Sequence, residues 1–465
     1  MRRDGASLSR APRGAVWLIP AALLASCVAL AMEPELRLAV PMLTGVTAFM
    51  TILLATTLYL GERGHVFWSV PAILAVALLM RVPFLFDPPQ LSDDLYRYVW
   101  DGAMTTAGMN PYFTAPALIA PGPGLAAIHA SINHPDLVTI YPPAAQTLFA
   151  ACALFTTDPA GFKAIFVAFD MVLCALLAVA ARRMGYEPWR ITLYAWHPLP
   201  VVEIAGSGHV DGAGAALVIA ALVMVMSGLD AQARPPGGNA PFAMGGALVA
   251  VAGLVKVFPL LALPSLFVLT PSAGRRAFAL SFLGMAALIT LPYGAGLPGL
   301  AGTMETYARH WEFAGFAFNV LRLATGSGDY ARSLLAVALV VTAALSAARL
   351  KRAIGAKTPV EALGKATMRS CYSLTIAFCL LTPTLQPWYA ILLVTFFPFA
   401  AGPAGLTLSW AVFLTYHVQI GSFILGAWTE DIMVTSALFL APCAVRALAL
   451  ALPRLKSHSG ACRTV

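Results

Sequence analysis

The residues of this sequence able to do chemistry are few, and they cluster. The run Leu91-Ser-Asp-Asp-Leu-Tyr-Arg-Tyr-Val-Trp-Asp-Gly carries adjacent carboxylates at Asp93 and Asp94, followed by Arg97 and Asp101. Asp94, Arg97 and Asp101 recur at i, i+3 and i+7 on one helical face, and Asp93 reaches Arg97 at i+4. Ser92 suits the start of that helix, with acidic residues in its first turn. A solvated, ion-paired surface helix is the competing reading of the same pattern. A second cluster follows Trp196-His-Pro198: Glu203, then Gly206-Ser-Gly-His-Val-Asp211. Lys256 stands in the apolar run Leu254-Val-Lys-Val-Phe-Pro259. A charge at the centre of a bilayer costs about 2.5–3.5 kcal/mol, so it faces a cavity or a partner. Snorkelling to the interface is the alternative for Lys256, and helix capping for His209. Tyr307-Ala-Arg-His-Trp-Glu312 adds Arg309 and His310 beside aromatic rings. Arginine suits bidentate phosphate recognition and tryptophan suits stacking on a sugar face; plain interfacial anchoring explains the same residues.

The elements that must position these groups are membrane helices. The chain has 465 residues, 59% of them hydrophobic and 11% charged. Soluble domains carry about 25% charged residues, so this chain lacks the polar surface of a water-soluble globule. Fourteen apolar stretches lie between residues 14 and 450, several of them shorter than a full crossing. They predict an all-α polytopic membrane protein of roughly 11–14 transmembrane helices, a single integral membrane domain over 1–465. The stretch 242–270 is long enough to break near Lys256-Val-Phe-Pro259.

The net charge is +8, but the cations sit at segment ends, which argues against a nucleic-acid partner. Arg2, Arg3, Arg10 and Arg13 precede the first span, which reads as a retained helix. Lys351, Arg352, Lys357, Lys365 and Arg369 crowd one loop, and Arg454, Lys456 and Arg463 lie in the tail. By the positive-inside rule these regions are cytoplasmic. Two long loops, 87–141 and 294–331, then fall on the non-cytoplasmic side. Arg182, Arg183 and Arg190 put 181–190 on the cytoplasmic side only if 142–157 fails to cross fully. Arg234-Pro-Pro-Gly-Gly-Asn reads as a turn-rich connector. Gly108-Met-Asn-Pro-Tyr112, Ile132-Asn-His-Pro135 and Thr139-Ile-Tyr-Pro-Pro143 favour defined turns within the first loop, and Pro142 and Pro143 suit a helix start. The seven cysteines form no CxxC pair, which argues against a disulfide framework or a zinc site.

The order Asp-Asp-Leu-Tyr-Arg-Tyr-Val-Trp-Asp-Gly, Asn-Pro-Tyr, Asn-His-Pro, Ile-Tyr-Pro-Pro, Gly-Ser-Gly-His-Val-Asp and Leu-Val-Lys-Val-Phe-Pro resembles GT-C membrane glycosyltransferases. The match is to bacterial family 87-like and polyprenol-phosphomannose-dependent mannosyltransferases, over about residues 66–330. The resemblance implies a GT-C-like bundle in the cell (inner) membrane with its active site on the non-cytoplasmic side. It implies transfer of a hexose, mannose by family weight, from a polyprenyl-phosphate donor to an envelope glycan or lipid acceptor. Asp93 or Asp94 matches the loop aspartate that acts as base, His209 and Asp211 the His-x-Asp near the site, and Lys256 the lysine near the lipid phosphate. That phosphate would supply the lysine's counter-charge. Arg97, Asp101, His134, Arg309 and His310 complete the expected substrate-binding set. The Asp-x-Asp spacing of the family is absent, and neither a metal site nor a cofactor is predicted.

Chemistry supports the same assignment. Sugar transfer passes through an oxocarbenium-like state. An inverting route needs one carboxylate to take the acceptor's proton and positive charge to hold the departing phosphate, with no general acid. The runner-up is a secondary transporter or lipid flippase. Such proteins place coupling charges near the midplane of repeated, interrupted helices, whereas here the polar residues concentrate in outer loops and no internal repeat is visible.

Overall fold

The computed structural model describes residues 14–232, 238–355 and 358–461, with side chains as far as Ala451. Arg2, Arg3, Arg10, Arg13, Lys357, Arg463 and residues 234–237 of the connector lie outside the described residues, as do the side chains of Arg454 and Lys456. The described chain is all-helical; its β-type pairing is confined to isolated bridges from Phe313 and Ala314 to Thr384. Among the described residues, seven helical runs are long and apolar enough to cross a membrane: Val40–Gly61, Pro159–Arg183, Asp211–Gln232, Ser272–His310, Gly328–Ala353, Pro403–Leu425 and Ile432–Ala451. Five shorter apolar helices join them, among them Ala15–Ala31, Val70–Phe84 and Ala240–Val255. The protein is a polytopic membrane protein.

Local sequence explains the breaks. Helix Ala240–Val255 stops at Lys256, whose backbone is extended (φ −155°, ψ 148°), and a 3-10 turn Phe258–Ala262 follows. Pro259 has no N–H to continue the helical ladder, so the apolar stretch 242–270 divides where the sequence predicts. The 142–157 segment yields only the eleven-residue helix Pro143–Ala153. At 1.5 Å per residue it rises about 16 Å, roughly half a hydrocarbon core. The next helix, Pro159–Arg183, is long and apolar enough to cross.

The two ends of the bundle differ in chemistry. Arg190 pairs with Glu62, Arg183 with Asp230 (3.6 Å) and Lys365 with Glu361 (2.6 Å). The Glu361 carboxylate lies against Gly185, which brings the 181–190 and 350–366 loops to one end. The loop 87–141 lies at the other, where Lys163 near the start of helix Pro159–Arg183 donates to the carbonyls of Phe84 and Asp87.

The helix Asp94–Thr106 is not the solvated, ion-paired surface helix that its sequence also permits. Both of its faces are covered: Leu95, Arg97, Tyr98, Val99, Trp100 and Asp101 are all buried. It packs on Pro143–Ala153 through Gly102, where an added Cβ would lie 2.4 Å from the Phe149 carbonyl oxygen. Gly102→Val is therefore expected to force the two helices apart and destabilise the fold by about 1–3 kcal/mol, the usual scale of overpacking. Thermal unfolding in detergent checks this, and an unchanged Tm would mean that the contact yields freely.

Candidate functional site

A cavity of about 950 Å³ opens at the end of the bundle that carries the 87–141 loop. The start of helix Asp94–Thr106 forms one wall. Residues 133–142 and the end of helix Leu297–His310 form others, and the break at Lys256 reaches it from the bundle. The fourth wall comes from the C-terminal half: Trp388 and Tyr389, then Tyr416 and Gln419. Of the residues singled out in the sequence, Asp93, Asp94, Arg97, His134, Lys256 and His310 line this cavity.

The adjacent carboxylates differ. Asp93 accepts a 2.9 Å ion pair from Arg37, and its side chain is 40% exposed. The expected i+4 partner, Arg97, is committed elsewhere. Asp94 is 17% exposed, and its Oδ1 accepts from Asn133 Nδ2 at 2.8 Å. Its only cation-capable neighbour within 4 Å among the described residues is His209, with Nδ1 3.9 Å from Asp94 Oδ2. The N-cap is Asp93, with no side-chain capping bond, rather than Ser92, whose hydroxyl accepts from the Asp94 amide at 3.3 Å just ahead of the helix. Tyr98 and Tyr141 meet edge to face at 4.7 Å. Burial, and then the Asp94 charge, hold both phenols well above their ordinary range, so they stay neutral.

Arg97 and Asp101 are partners of each other rather than of solvent. Arg97 Nε donates to Asp101 Oδ1 at 2.8 Å, and both side chains are buried. The guanidinium also donates to the Leu137 carbonyl, and Gln146 donates to Asp101 Oδ2 at 3.1 Å. This network fastens the end of the long loop to the two packed helices. It replaces the solvated surface pair that the i, i+4 spacing also permits. Asp101 does not reach the cavity.

Lys256 donates to Asp211 Oδ2 at 2.6 Å, with side chains 12% and 9% exposed. Its counter-charge therefore comes from the protein, where the sequence reading left that role to a lipid phosphate. The ammonium still lines the cavity, 6.0 Å from the Trp388 ring and 5.9 Å from the Tyr389 ring. His209 is fully buried and stacked on Trp388 at 4.0 Å; it stands behind the wall rather than in it. Its preceding residue, Gly208, adopts φ +77°, which frees the chain to turn the imidazole inward.

Arg309 lies apart from the site. It is 67% exposed and pairs with Glu305 at 2.8 Å one turn away on its own helix. Its neighbour Trp311 stacks on Tyr307 (5.3 Å) and meets His134 at 4.8 Å, giving the cavity an aromatic edge. His134 holds φ +48° immediately before Pro135, a conformation uncommon for a residue with a Cβ. Among the described residues, no group of three or more His, Cys, Asp or Glu side chains is arranged to hold a metal ion.

Several lining residues escape sequence reasoning: Arg37, Trp388, Tyr389, Tyr416 and Gln419. Two signals point toward them. Arg37 is the one cation of the charged turn Glu33-Pro-Glu-Leu-Arg37 between two apolar stretches, and Gln386-Pro-Trp-Tyr389 interrupts an apolar run with a proline and two amphipathic rings.

Residues 12–272, more than half of the chain, match the family described as alpha-(1->6)-mannopyranosyltransferase, N-terminal domain. Alpha-(1->6)-mannopyranosyltransferase B of Corynebacterium glutamicum is 24% identical over 343 residues, 66% of this chain and 55% of that protein. Alpha-(1->6)-mannopyranosyltransferase A of the same organism is 27% identical over 194 residues, 40% of this chain and 36% of that protein. The matched regions thus span about a third to about half of those relatives' length. No solved structure matches the chain.

Proposed function

The chain belongs to the alpha-(1->6)-mannopyranosyltransferase family, and from that premise we propose that it moves a mannosyl unit from a polyprenyl-phosphate donor to an envelope glycan or lipid acceptor. One observation carries the reading. A carboxylate without a strong cationic partner, Asp94, and a paired ammonium, Lys256, line the same large cavity beside aromatic rings. Asp94 is the base and Asp93 is not, because Arg37 occupies Asp93. The Asp94 carboxylate takes the acceptor hydroxyl's proton as that oxygen attacks the anomeric carbon. The donor phosphate leaves as an anion and needs no proton. Lys256 lies where a fixed positive charge can stabilise it. The relatives' names specify an alpha-(1->6) linkage. Inverting displacement gives an alpha product from a beta-configured donor, and the attacking group is then a primary 6-hydroxyl. Tyr307, Trp311 and His134 offer faces on which a pyranose ring can stack.

The direct test incubates purified protein with radiolabelled polyprenyl-phosphate-mannose, -glucose and -arabinose against extracted envelope acceptors. Label is expected to pass from the mannose donor, and its failure to move from any of the three would remove the reading. The cation-rich end of the bundle faces the cytoplasm in this proposal, and the cavity faces outward. Gly122 lies in the first loop with open space around its Cα. A cysteine introduced there is expected to react with a membrane-impermeant maleimide on intact cells. Reaction only after permeabilisation would turn the topology over.

A further inference from the structure

Behind Asp94 lies a line of buried polar atoms that the transfer step above leaves unused. His209 and Glu203 are both fully buried. Among the described residues, neither ring nitrogen of His209 has a hydrogen-bond partner, and neither has Glu203 Oε2. Unpartnered buried polar atoms are rare, and each calls for an explanation. These three form a sequence: Asp94 Oδ2 lies 3.9 Å from His209 Nδ1, and His209 Nε2 lies 3.5 Å from Glu203 Oε2. The other Glu203 oxygen accepts from the Tyr416 hydroxyl at 2.8 Å, which fixes the carboxyl. Glu203 stands in a π-helical turn, Val201–Gly206, a conformation frequent at functional positions. The Trp388 ring stacked on the imidazole holds its plane.

We infer that His209 and Glu203 are positioning residues that draw the acceptor's proton away from Asp94 into the protein. The inference rests on Asp94 being the base. In this relay the cycle starts with Asp94 and Glu203 as carboxylates and His209 neutral, its proton on Nε2, the nitrogen nearer Glu203. The acceptor O–H bond breaks as the new glycosidic bond forms, and the proton binds Asp94. It then passes to His209 Nδ1 while the proton on Nε2 passes to Glu203. Asp94 is returned to its carboxylate, His209 remains neutral in its other tautomer, and one proton has been added to Glu203. No electrons are exchanged and no net imidazolium is left beside the Lys256 ammonium. The proton later leaves by the reverse path, through Asp94 to solvent in the emptied cavity. The charged and titratable groups around the relay are Asp94 from the helix at the cavity rim, Asp211 from the next spanning helix, Lys256 at the helix break and Tyr416 from the C-terminal wall.

The test compares pH profiles of kcat for the full-length protein with a polyprenyl-phosphate-mannose donor. Glu203→Gln keeps the shape and removes both the negative charge and the site that receives the proton. It is expected to lower kcat about tenfold or more, with donor KM held within about twofold. In the relay the acidic limb reports the ionisation of Glu203, so removing that group also moves the limb about one unit toward lower pH. If that variant does not fold, Tyr416→Phe reads the coupling from the other side. Without the phenol's hydrogen bond the Glu203 carboxylate holds its proton more readily, and the acidic limb moves to higher pH. A purely structural Glu203 would change protein yield and Tm while leaving the limb in place. An unmoved limb in whichever variant folds overturns the relay. The underlying assignment fails separately: if Asp94→Asn keeps near-normal kcat, Asp94 is not the base. If Asp94→Asn is inactive and the limb is unmoved, the relay alone is lost.

Discussion

Asp94→Asn is expected to lower kcat at least about 100-fold, the usual contribution of a general base, while Asp93→Asn costs about tenfold or less. The two substitutions are equally conservative and one residue apart, so folding and expression effects should be similar. What separates them is their surroundings. Asp93 is 40% exposed and bound to Arg37 at 2.9 Å. Asp94 is turned toward the cavity, steadied by Asn133 on one oxygen and facing His209 with the other. Because Asn cannot accept a hydroxyl proton as a base yet fills the same space, donor KM should change little in either variant. The reverse order of effects would transfer the role to Asp93. Near-normal kcat in both would leave neither carboxylate as the base.

The second large effect concerns Lys256. Lys256→Met alone would strand Asp211 as a buried carboxylate, and breaking such a pair costs about 3–5 kcal/mol. Loss of activity in that variant would therefore not separate catalysis from folding. The paired substitution Lys256→Met/Asp211→Asn removes both charges and keeps most of the volume, a change that is often close to neutral for stability. It is expected to fold with nearly the parent Tm and to lose about 10–100-fold in kcat/KM for the donor. That is the scale of one charged hydrogen bond to a phosphate. The loss falls on KM if the ammonium holds the ground-state donor, and on kcat if it meets the charge that builds as the phosphate departs. Normal donor kinetics in the well-folded double variant would take Lys256 out of the site and leave it a structural partner of Asp211.

Composition and short-range pattern determine much about this protein. A chain with 11% charged residues must be solvated largely by lipid, which determines the membrane class. Pro259 cannot continue a helical ladder, so the break beside Lys256 is written in four residues. The Arg97–Asp101 pair follows from the pitch of a helix. The shortness of the 142–157 stretch limits it to a helix of eleven residues.

Tertiary structure alone decided what those residues meet. Arg37 and Asp93 are 56 positions apart, Lys256 and Asp211 are 45 apart, and Glu203 and Tyr416 are 213 apart. No helical periodicity relates such pairs. Their meeting depends on the rotation and tilt of whole helices, and in a membrane these are set by close packing of small residues rather than by an apolar stripe turned from water. Spanning helices are apolar nearly all round, so their sequences carry little record of which face turns inward. The sequence of the helix Asp94–Thr106 likewise left a solvated surface pair open for Arg97 and Asp101, which the fold buries. The same lack of a record is why the wall formed by Trp388, Tyr389 and Tyr416 was invisible until the C-terminal helices closed on the 87–141 loop.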